Sequence, residues 1–400
     1  MKTVYLIGTG TNGTSALTAE AADAVKHADL LIGAKRMLMP YTDSGRECVC
    51  LYQPQQIADL LHSRAFQSTA ILLSGDTGFY SGAKNLLPLL DDMQTTILPG
   101  ISALSAFCAK CGLSYEQMKC VSLHGMHANI AIHAATNPYC FFLLGGETSA
   151  AHVCRQLCSY GLNLTVHIGT DLGYAQEQIL HGNAAGFTDL PAKTLSVLVT
   201  ENPAYCRSLP AAIPDHRFIR STIPMTKAEI RCIAVASLQI PHDGICWDIG
   251  CGTGSVSVEA AFRCPDGQVF AFDRNPDAAA LTLQNAKQFS CDNVQSACGN
   301  CPEILHDAPP PDAVFIGGSG GRLAEIFAAV SEKNPSAMIA LTAVSLETLA
   351  EAEALFAKYT AEPRTVQIAV TGTRKAGSHT MFQAQNPVFL ITGRMLCAEL

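Results

Sequence analysis

Apolar and polar positions alternate in blocks along the second half of the chain. Short apolar runs bounded by glycine, proline or polar residues predict buried strands, and apolar residues at helical spacing predict helices. The predicted strands span residues 245–249, 269–273, 294–297, 313–316, 338–342, 366–369 and 388–392. Helices are predicted between the first five strands and again over 346–358. A further helix is predicted over 227–238, with Thr226 as its N-cap. This alternation is typical of an α/β domain with a mainly parallel sheet.

The first half shows the same alternation of apolar and polar blocks, but the pattern of the predicted strands changes near residue 137. Before it, strands are predicted over 3–7, 29–33, 70–73, 96–98 and 121–125, and most end in glycine-rich or hydroxyl-rich loops. After it, strands are predicted over 139–144, 164–169, 176–180 and 195–200, with one helix over 150–160. Two α/β lobes are therefore expected, the second with a mixed sheet.

A glycine-rich loop follows the first strand of the second half. Gly250, Gly252 and Gly254 alternate with other residues, and Ser255 is placed to cap the helix that follows. Strand, glycine loop and helix together favour a nucleotide-type site, because glycine lets the backbone approach a ligand and the helix start offers free N–H groups.

Two carboxylates accompany this loop at predicted strand ends. Asp248 either points at an ammonium group or holds the loop, and Asp273 can accept hydrogen bonds from both hydroxyls of a ribose. This combination resembles the S-adenosylmethionine site of Rossmann-type methyltransferases. That fold has seven strands, with the terminal one inserted antiparallel.

The loop after the first strand of the chain matches a different pattern. Residues 8–13 fit the G-x-G-x-x-G fingerprint, which alone predicts NAD binding. However, the next strand has its acid, Asp29, at the start, and its end carries Lys35 and Arg36. A ribose-binding acid belongs at the strand end, so an NAD site is not expected here.

The later motifs of the first half resemble the tetrapyrrole (precorrin) methylases over about residues 1–205. The motifs are 74–82 (SGDTGFYSG), 99–103 (PGISA), 121–125 (VSLHG) and 195–203. The resemblance implies a two-lobed α/β fold that holds S-adenosylmethionine between its lobes, largely by backbone atoms. The cofactor-binding residues it implies are Gly75, Asp76, Thr77, Gly78, Phe79, Ile101 and Ser102.

The second half resembles the precorrin methyltransferases that also decarboxylate. The matching stretches are 213–220, 224–227, 248–254, 273–274 and 314–321. In the Rossmann-like, class I domain, the implied cofactor-binding residues are Thr226, Asp248, Gly250, Cys251, Gly252, Thr253, Gly254, Asp273, Asn300 and Cys301. The expected organisation is a methylase domain over 1–205, a proline-rich linker over 206–224 and the second methyltransferase domain over 225–400.

The order of the two domains resembles the fused, bifunctional family of cobalamin (vitamin B12) biosynthesis. It implies S-adenosylmethionine-dependent methylation of a precorrin-6B-type ring at meso carbons 5 and 15. It also implies decarboxylation of the carbon 12 acetate, which gives a precorrin-8-type product. One S-adenosylmethionine site per domain is expected.

The residues that carry out catalysis are not identified by the sequence. Such a substrate bears many carboxylates, so local basic residues are expected to bind it. The substrate-contact candidates are His124, Lys227, Arg231, Ser319 and Arg322. A strand-end histidine satisfied by a neighbour is an equally good interpretation of His124. Five residues with four glycines, 317–321, would lie where substrate enters this fold.

Composition excludes some functions. The net charge of −8 argues against a nucleic-acid partner, and the absence of a long apolar run or a leader favours a cytoplasmic location without membrane contact. Seventeen cysteines are interpreted as reduced and mostly buried. No metal site is expected, because the two C-x-x-C pairs fall in different predicted domains. The tetrapyrrole is the expected small-molecule partner, and a homo-oligomer is expected by resemblance.

Three alternatives remain open from the sequence. The same two folds could methylate another tetrapyrrole, the chain could be a non-catalytic S-adenosylmethionine-binding module, or the first half could serve an NAD oxidoreductase. The sequence also leaves open whether the substrate carries cobalt.

Overall fold

The computed structural model describes residues 2–125, 128–146, 148–193, 195–208 and 210–396, without the side chains of residues 14 and 15. The chain forms two compact units. The first comprises Met1–His127, Pro138–Arg155 and Leu164–Asn202, and the second comprises Ala128–Asn137, Gln156–Asn163 and Pro203–Leu400.

The first unit contains two five-stranded sheets. The strands of one sheet are β1 (Thr3–Gly8), β2 (Leu30–Gly33), β3 (Glu47–Cys50), β4 (Ser68–Leu73) and β5 (Gln94–Leu98). The strands of the other are β6 (Met118–Ser122), β7 (Tyr139–Leu143), β8 (Thr165–Thr170), β9 (Gln178–Asn183) and β10 (Ser196–Glu201). The first sheet is wholly parallel in the order β3-β2-β4-β1-β5, and the second is mixed in the order β6-β7-β10-β8-β9. Both lobes were predicted and are confirmed.

Helices connect these strands. They are α1 (Ala19–His27), α2 (Lys35–Leu38), α3 (Pro54–Ser63), α4 (Ala83–Leu86), α5 (Ala103–Cys111), α6 (Ala131–Thr136) and α7 (Ala150–Ser159). The residues of α6 and the last turn of α7 belong to the second unit. Ser102 is the N-cap of α5, and its hydroxyl accepts a hydrogen bond from the Ser105 N–H at 3.0 Å.

The second unit is built on one seven-stranded sheet. Its strands are β11 (Ile245–Ile249), β12 (Gln268–Asp273), β13 (Val294–Cys298), β14 (Ala313–Ile316), β15 (Met338–Ala343), β16 (Thr360–Ile368) and β19 (Val388–Met395). The order is β13-β12-β11-β14-β15-β19-β16, and β19 is antiparallel to both of its neighbours. The predicted insertion of the terminal strand is therefore confirmed.

Further helices of this unit follow α6 in the described part of the chain. They are α8 (Ala228–Ser237), α9 (Ser255–Ala261), α10 (Pro276–Gln288), α11 (Leu323–Lys333) and α12 (Leu346–Tyr359). Apolar clusters cover both faces of the sheet, and Trp247 on the central strand β11 is fully buried. A hairpin of β17 (Thr371–Ala376) and β18 (His379–Ala384) joins β16 to β19; its strands are fully exposed, so no apolar pattern predicted it.

Two predicted helix caps are wrong. Lys227, not Thr226, precedes α8, and the first N–H of that helix, from Ala228, donates to the Asp215 carboxylate at 3.1 Å. Ser255 is the first residue of α9 rather than its cap, because the loop turns through Gly254 at a φ of 73°. In both places a loop tied down by distant residues sets the helix start.

Candidate functional site: a cavity in each unit

The second unit encloses a cavity of about 650 Å³ at the carboxyl ends of its parallel strands, here called the C-terminal cavity. This is where open α/β sheets bind ligands, and the volume suits a nucleoside-sized cofactor. The segments that line it include 223–227, 249–252, 272–275, 299–301 and 317–320. Of the predicted site residues, the lining contains Thr226, Lys227, Gly250, Cys251, Gly252, Asp273, Asn300, Cys301, Ser319 and Arg322.

The glycine loop of this cavity is packed backbone against backbone. A Cβ on Gly250, whose φ is +74°, would lie 2.7 Å from the Gly318 nitrogen. A Cβ on Gly252 would lie 2.8 Å from the Pro224 carbonyl oxygen. No other residue fits at these two positions without moving the 317–321 loop or the 223–227 segment, which form neighbouring walls of the cavity.

Asp273 ends β12 and faces the cavity beside this loop. One carboxylate oxygen accepts a hydrogen bond from the Gly252 N–H at 3.0 Å, and the other accepts one from the Asn275 N–H at 2.9 Å. Each oxygen keeps further acceptor capacity. The side chain is therefore fixed and half-buried at the position where the sequence predicted a ribose contact.

Asp248 lies behind the loop rather than in the cavity lining. It is fully buried, and its Oδ2 accepts a hydrogen bond from the Ser257 hydroxyl on α9. Among the described residues, Oδ1 has no partner. Burial, which disfavours the charged form, raises the pKa of this carboxyl to about 7. These contacts fit the alternative in which Asp248 holds the loop. Thr253 and Gly254 also lie outside the lining.

Arg231 does not face the cavity, so its prediction as a substrate contact is wrong. The side chain is fully buried, and its Nε donates to the Glu259 carboxylate at 2.6 Å. Nη1 donates to the Thr226 carbonyl at 2.7 Å. The Glu259 carboxylate also accepts the Ile213 N–H at 2.9 Å. This buried pair anchors the segment from Ile213 to Thr226, whose last residues line the cavity.

The remaining predicted residues of this cavity differ in which protein groups their side chains already contact. Lys227 is 3.4 Å from the Asp215 carboxylate, and Arg322 is held by two glutamates. Ser319 accepts the Gly321 N–H at 3.4 Å. Burial raises the pKa of the Cys301 thiol to about 11, so this cysteine stays a neutral wall of the cavity.

The first unit holds a smaller cavity of about 200 Å³, here called the N-terminal cavity. Its lining includes the predicted Gly75, Asp76, Phe79 and His124, together with Arg36. It does not include Thr77, Gly78, Ile101 or Ser102. The side chain of His124 packs against Gly145, where a Cβ would lie 1.8 Å from Nδ1.

Three loops of the first unit meet through their backbones beside this cavity. Gly10 and Gly75 exchange backbone hydrogen bonds of 2.9 and 3.1 Å. A Cβ on Gly100 would lie 2.3 Å from the Gly75 carbonyl oxygen. Asp76 completes the junction by accepting the Gly100 N–H at 3.1 Å. The loop that resembled an NAD fingerprint thus supports the 74–82 loop.

Sequence reasoning missed Arg274, which lines the C-terminal cavity. The available signal was its position immediately after Asp273, at a predicted strand end. It also missed the buried Glu259, because an acid inside a helix gives no sign of its partner on another segment. Among the described residues there is no cluster of three metal-ligand side chains. Within the same residues, no helix has the length and apolarity needed to cross a bilayer.

Two family descriptions match the chain. Residues 3–187 match the tetrapyrrole (corrin/porphyrin) methylases, and residues 218–393 match the precorrin methyltransferase domain. A probable cobalt-precorrin-6B C(15)-methyltransferase (decarboxylating) from Pyrobaculum calidifontis is 39% identical over 45% of this chain and 94% of its own length. The cobalt-precorrin-6B C(15)-methyltransferase (decarboxylating) from Salmonella typhimurium is 36% identical over 44% of this chain and 93% of its own length.

Solved structures are also similar. A precorrin-6y C5,15-methyltransferase from Geobacter metallireducens is 37% identical, with a TM-score of 0.43 over 46% of this chain and 97% of its own. A precorrin-6Y methylase from Archaeoglobus fulgidus is 18% identical, with a TM-score of 0.41 over 50% of this chain and 98% of its own. On the identity to the decarboxylating relatives and the two domain matches, this chain belongs to the decarboxylating precorrin methyltransferase family, with a tetrapyrrole methylase domain ahead of the precorrin methyltransferase domain.

Proposed function

We propose that this chain converts a precorrin-6B-type ring to a precorrin-8-type product in cobalamin biosynthesis. It adds methyl groups at carbons 5 and 15 and removes the carboxyl group of the carbon 12 acetate. The second domain, over 225–400, performs the carbon 15 methylation and the decarboxylation, as the names of the relatives suggest. The first domain, over 1–205, methylates carbon 5, and residues 206–224 link the two.

The observation that carries this proposal is the arrangement of Asp273 in the C-terminal cavity. Its carboxylate is fixed at a strand end by the Gly252 N–H, opposite a second glycine loop over 317–321. The wall that carries Asp273 suits a nucleoside, and we assign the substrate ring to the wall formed by the 317–321 loop. The polar groups of this cavity are backbone N–H donors and one carboxylate acceptor. They suit the neutral and hydroxyl-bearing parts of S-adenosylmethionine.

S-adenosylmethionine, one molecule per domain, would supply an electrophilic methyl group. The protein then has to position this group in line with a ring carbon that is already nucleophilic. Gly250 and Gly252 shape the cradle, Asp273 holds the ribose, and Asn300 and Cys301 border the adenine. For decarboxylation, the electron pair left behind is accepted by the conjugated ring of the substrate. The walls of the cavity serve to orient that acetate and to exclude water.

In the first domain we assign the cofactor to the N-terminal cavity, with Gly75, Asp76, Thr77, Gly78, Phe79, Ile101 and Ser102 around it. Support comes from the backbone junction of the three loops and from the match to the tetrapyrrole methylases. His124 lines this cavity, and we assign it to the substrate. A cytoplasmic location and assembly into a homo-oligomer remain predictions.

The proposal is tested by mass spectrometry of the product. The chain is mixed with S-adenosylmethionine and either metal-free or cobalt-bound precorrin-6B. The expected product has gained two methyl groups and lost one carbon dioxide, and the faster substrate shows at which stage cobalt enters. If both precursors remain unchanged while S-adenosylmethionine binds, the substrate assignment is wrong.

A further inference from the structure

The cations in the C-terminal cavity are not equally available to a ligand. Lys227, Arg274 and Arg322 are the lysine and arginine residues of its lining. The substrate proposed above carries several carboxylates, and a guanidinium is well suited to bind one of them through paired hydrogen bonds. It matters, then, which of these three cations is already neutralised by the protein.

Arg322 is fully engaged by acids of the protein. Its Nε donates to the Glu325 carboxylate at 2.9 Å, and its Nη1 donates to the Glu303 carboxylate at 2.7 Å. The same guanidinium holds the pKa of both glutamates below the ordinary value. A substrate carboxylate at Arg322 would therefore have to displace one of two ionised partners.

Lys227 is also paired, at 3.4 Å from the Asp215 carboxylate. Arg274 differs from both. Among the described residues, it has no carboxylate within ion-pair distance, and its exposed side chain belongs to the cavity lining. Of the three cations in the lining, Arg274 is therefore the one that no carboxylate of the described residues pairs with.

The Arg274 guanidinium lies beside the 317–321 loop. The backbone of Arg274 follows Asp273 directly, at the ribose end of the cavity. Its Nη1, however, lies 3.7 Å from the point where a Cβ on Gly320 would stand. The side chain thus reaches from the cofactor wall to the opposite loop, where the substrate ring is expected.

We propose that Arg274, and not Arg322, binds a carboxylate of the tetrapyrrole substrate in the C-terminal cavity. The inference rests on the proposed function of this cavity. The bound carboxylate is one that the product retains. A guanidinium stabilises a carboxylate anion, and decarboxylation disperses that charge into the ring, so pairing the departing group with Arg274 would raise the barrier. Arg274 accordingly fixes the orientation of the ring through a neighbouring carboxylate.

The test compares Arg274→Gln with Arg364→Gln in the full chain. Arg364 is an exposed arginine on β16, outside the cavity lining, so this control removes the same charge without touching the site. In an assay of carbon dioxide release, we expect Arg274→Gln to raise the KM for the tetrapyrrole substrate by roughly 10-fold. This is the effect of losing one pair of hydrogen bonds between charged groups. The KM of S-adenosylmethionine and the carbon 5 methylation should stay unchanged, and Arg274→Lys should restore part of the affinity.

Several outcomes would overturn the proposal. An Arg274→Gln enzyme with a weaker affinity for S-adenosylhomocysteine and an unchanged ring KM would assign Arg274 to the cofactor instead. Equal kinetics in the Arg274 and Arg364 variants would remove it from the site. If the wild-type chain releases no carbon dioxide, the proposed function fails, and Arg274 is still judged by titration with the octacarboxylate uroporphyrin III. Weaker binding in Arg274→Gln than in Arg364→Gln then supports the carboxylate contact, and equal binding contradicts it.

Discussion

The two units build their cavities with the same backbone device but support them differently. Glycine loops touch through backbone atoms in both units, three loops in the first and two in the second. In each unit one aspartate accepts an N–H from a loop glycine: Asp76 from Gly100, and Asp273 from Gly252. Beneath the loops the units diverge. Of the described residues, the buried Asp, Glu and Arg side chains (Asp248, Glu259 and Arg231) are all in the second unit.

This difference predicts which changes should impair each unit. Adding a side chain to a loop glycine disrupts the backbone contacts between the loops, so substitution of these glycines should impair both cavities. Buried charged groups destabilise the fold when a partner is removed or when the pH changes. The second unit, with the Arg231–Glu259 pair and Asp248 behind the C-terminal cavity, should therefore show this second sensitivity. Trp247, the single tryptophan of the chain, is buried in the second unit, so its fluorescence reports the unfolding of that unit.

The largest effect is expected from adding a Cβ to the loop glycines. Gly250→Ala should lower the carbon 15 methylation more than about 100-fold, because the 317–321 loop must move and the in-line geometry is lost. Gly100→Ala should do the same to the carbon 5 methylation, since its Cβ would meet the Gly75 carbonyl. Product mass spectra measure both.

Gly377→Ala is the matched control for Gly250→Ala, because both glycines have a positive φ. Gly377 has a φ of +60° in the exposed hairpin, and nothing lies within 4 Å of its added Cβ. It carries the backbone strain of a left-handed residue without the steric clash. Equal losses in Gly377→Ala and Gly250→Ala would show that strain, rather than loop contact, explains the effect.

The next effect concerns the Arg231–Glu259 pair. Arg231→Met should lower the free energy of unfolding of the second unit by about 3–5 kcal/mol, because it leaves the Glu259 carboxylate buried without its cation. The double variant Arg231→Met/Glu259→Leu should recover most of this loss. Denaturant unfolding followed by Trp247 fluorescence measures both variants. A single variant as stable as the wild type would contradict the anchoring role.

The pH dependence of Asp248 should be smaller but specific to the second unit. Its pKa in the folded chain is raised to about 7 by burial, so the unfolded state releases its proton at lower pH than the folded state does. Its contribution to stability is therefore present at acid pH and is lost as the pH rises to about 7. Asp248→Asn should remove this loss, worth on the order of a few kcal/mol. A constant stability difference between wild type and variant from pH 5 to 8 would contradict it.

The sequence was sufficient for the features that depend on local pattern. Seven short apolar runs and an Asp-x-Gly-x-Gly-x-Gly loop predicted the sheet of the second unit and the place of Asp273, because strand ends and glycines are visible in the chain itself. The exposed β17–β18 hairpin has no buried face and left no such pattern.

Side-chain roles set by distant partners could not be predicted in this way. Arg231 looked like a substrate contact because nothing in its own helix reveals Glu259, 28 positions away. Asp248 fitted two interpretations until the position of Ser257 was known. Arg322 and Arg274 differ only in whether glutamates surround them, which is a property of the fold.

The central claim is that decarboxylation and one methylation belong to the C-terminal cavity, and the other methylation to the N-terminal cavity. The most direct test is the product mass spectrum of Asp273→Ala, with the exposed Asp307→Ala as control and Gly100→Ala as the complementary variant. The account predicts that the Asp273→Ala product lacks the carbon 15 methyl group, that Asp307→Ala behaves as wild type, and that Gly100→Ala lacks the carbon 5 methyl group instead. Carbon 15 methylation at the wild-type rate by a folded Asp273→Ala chain would contradict it.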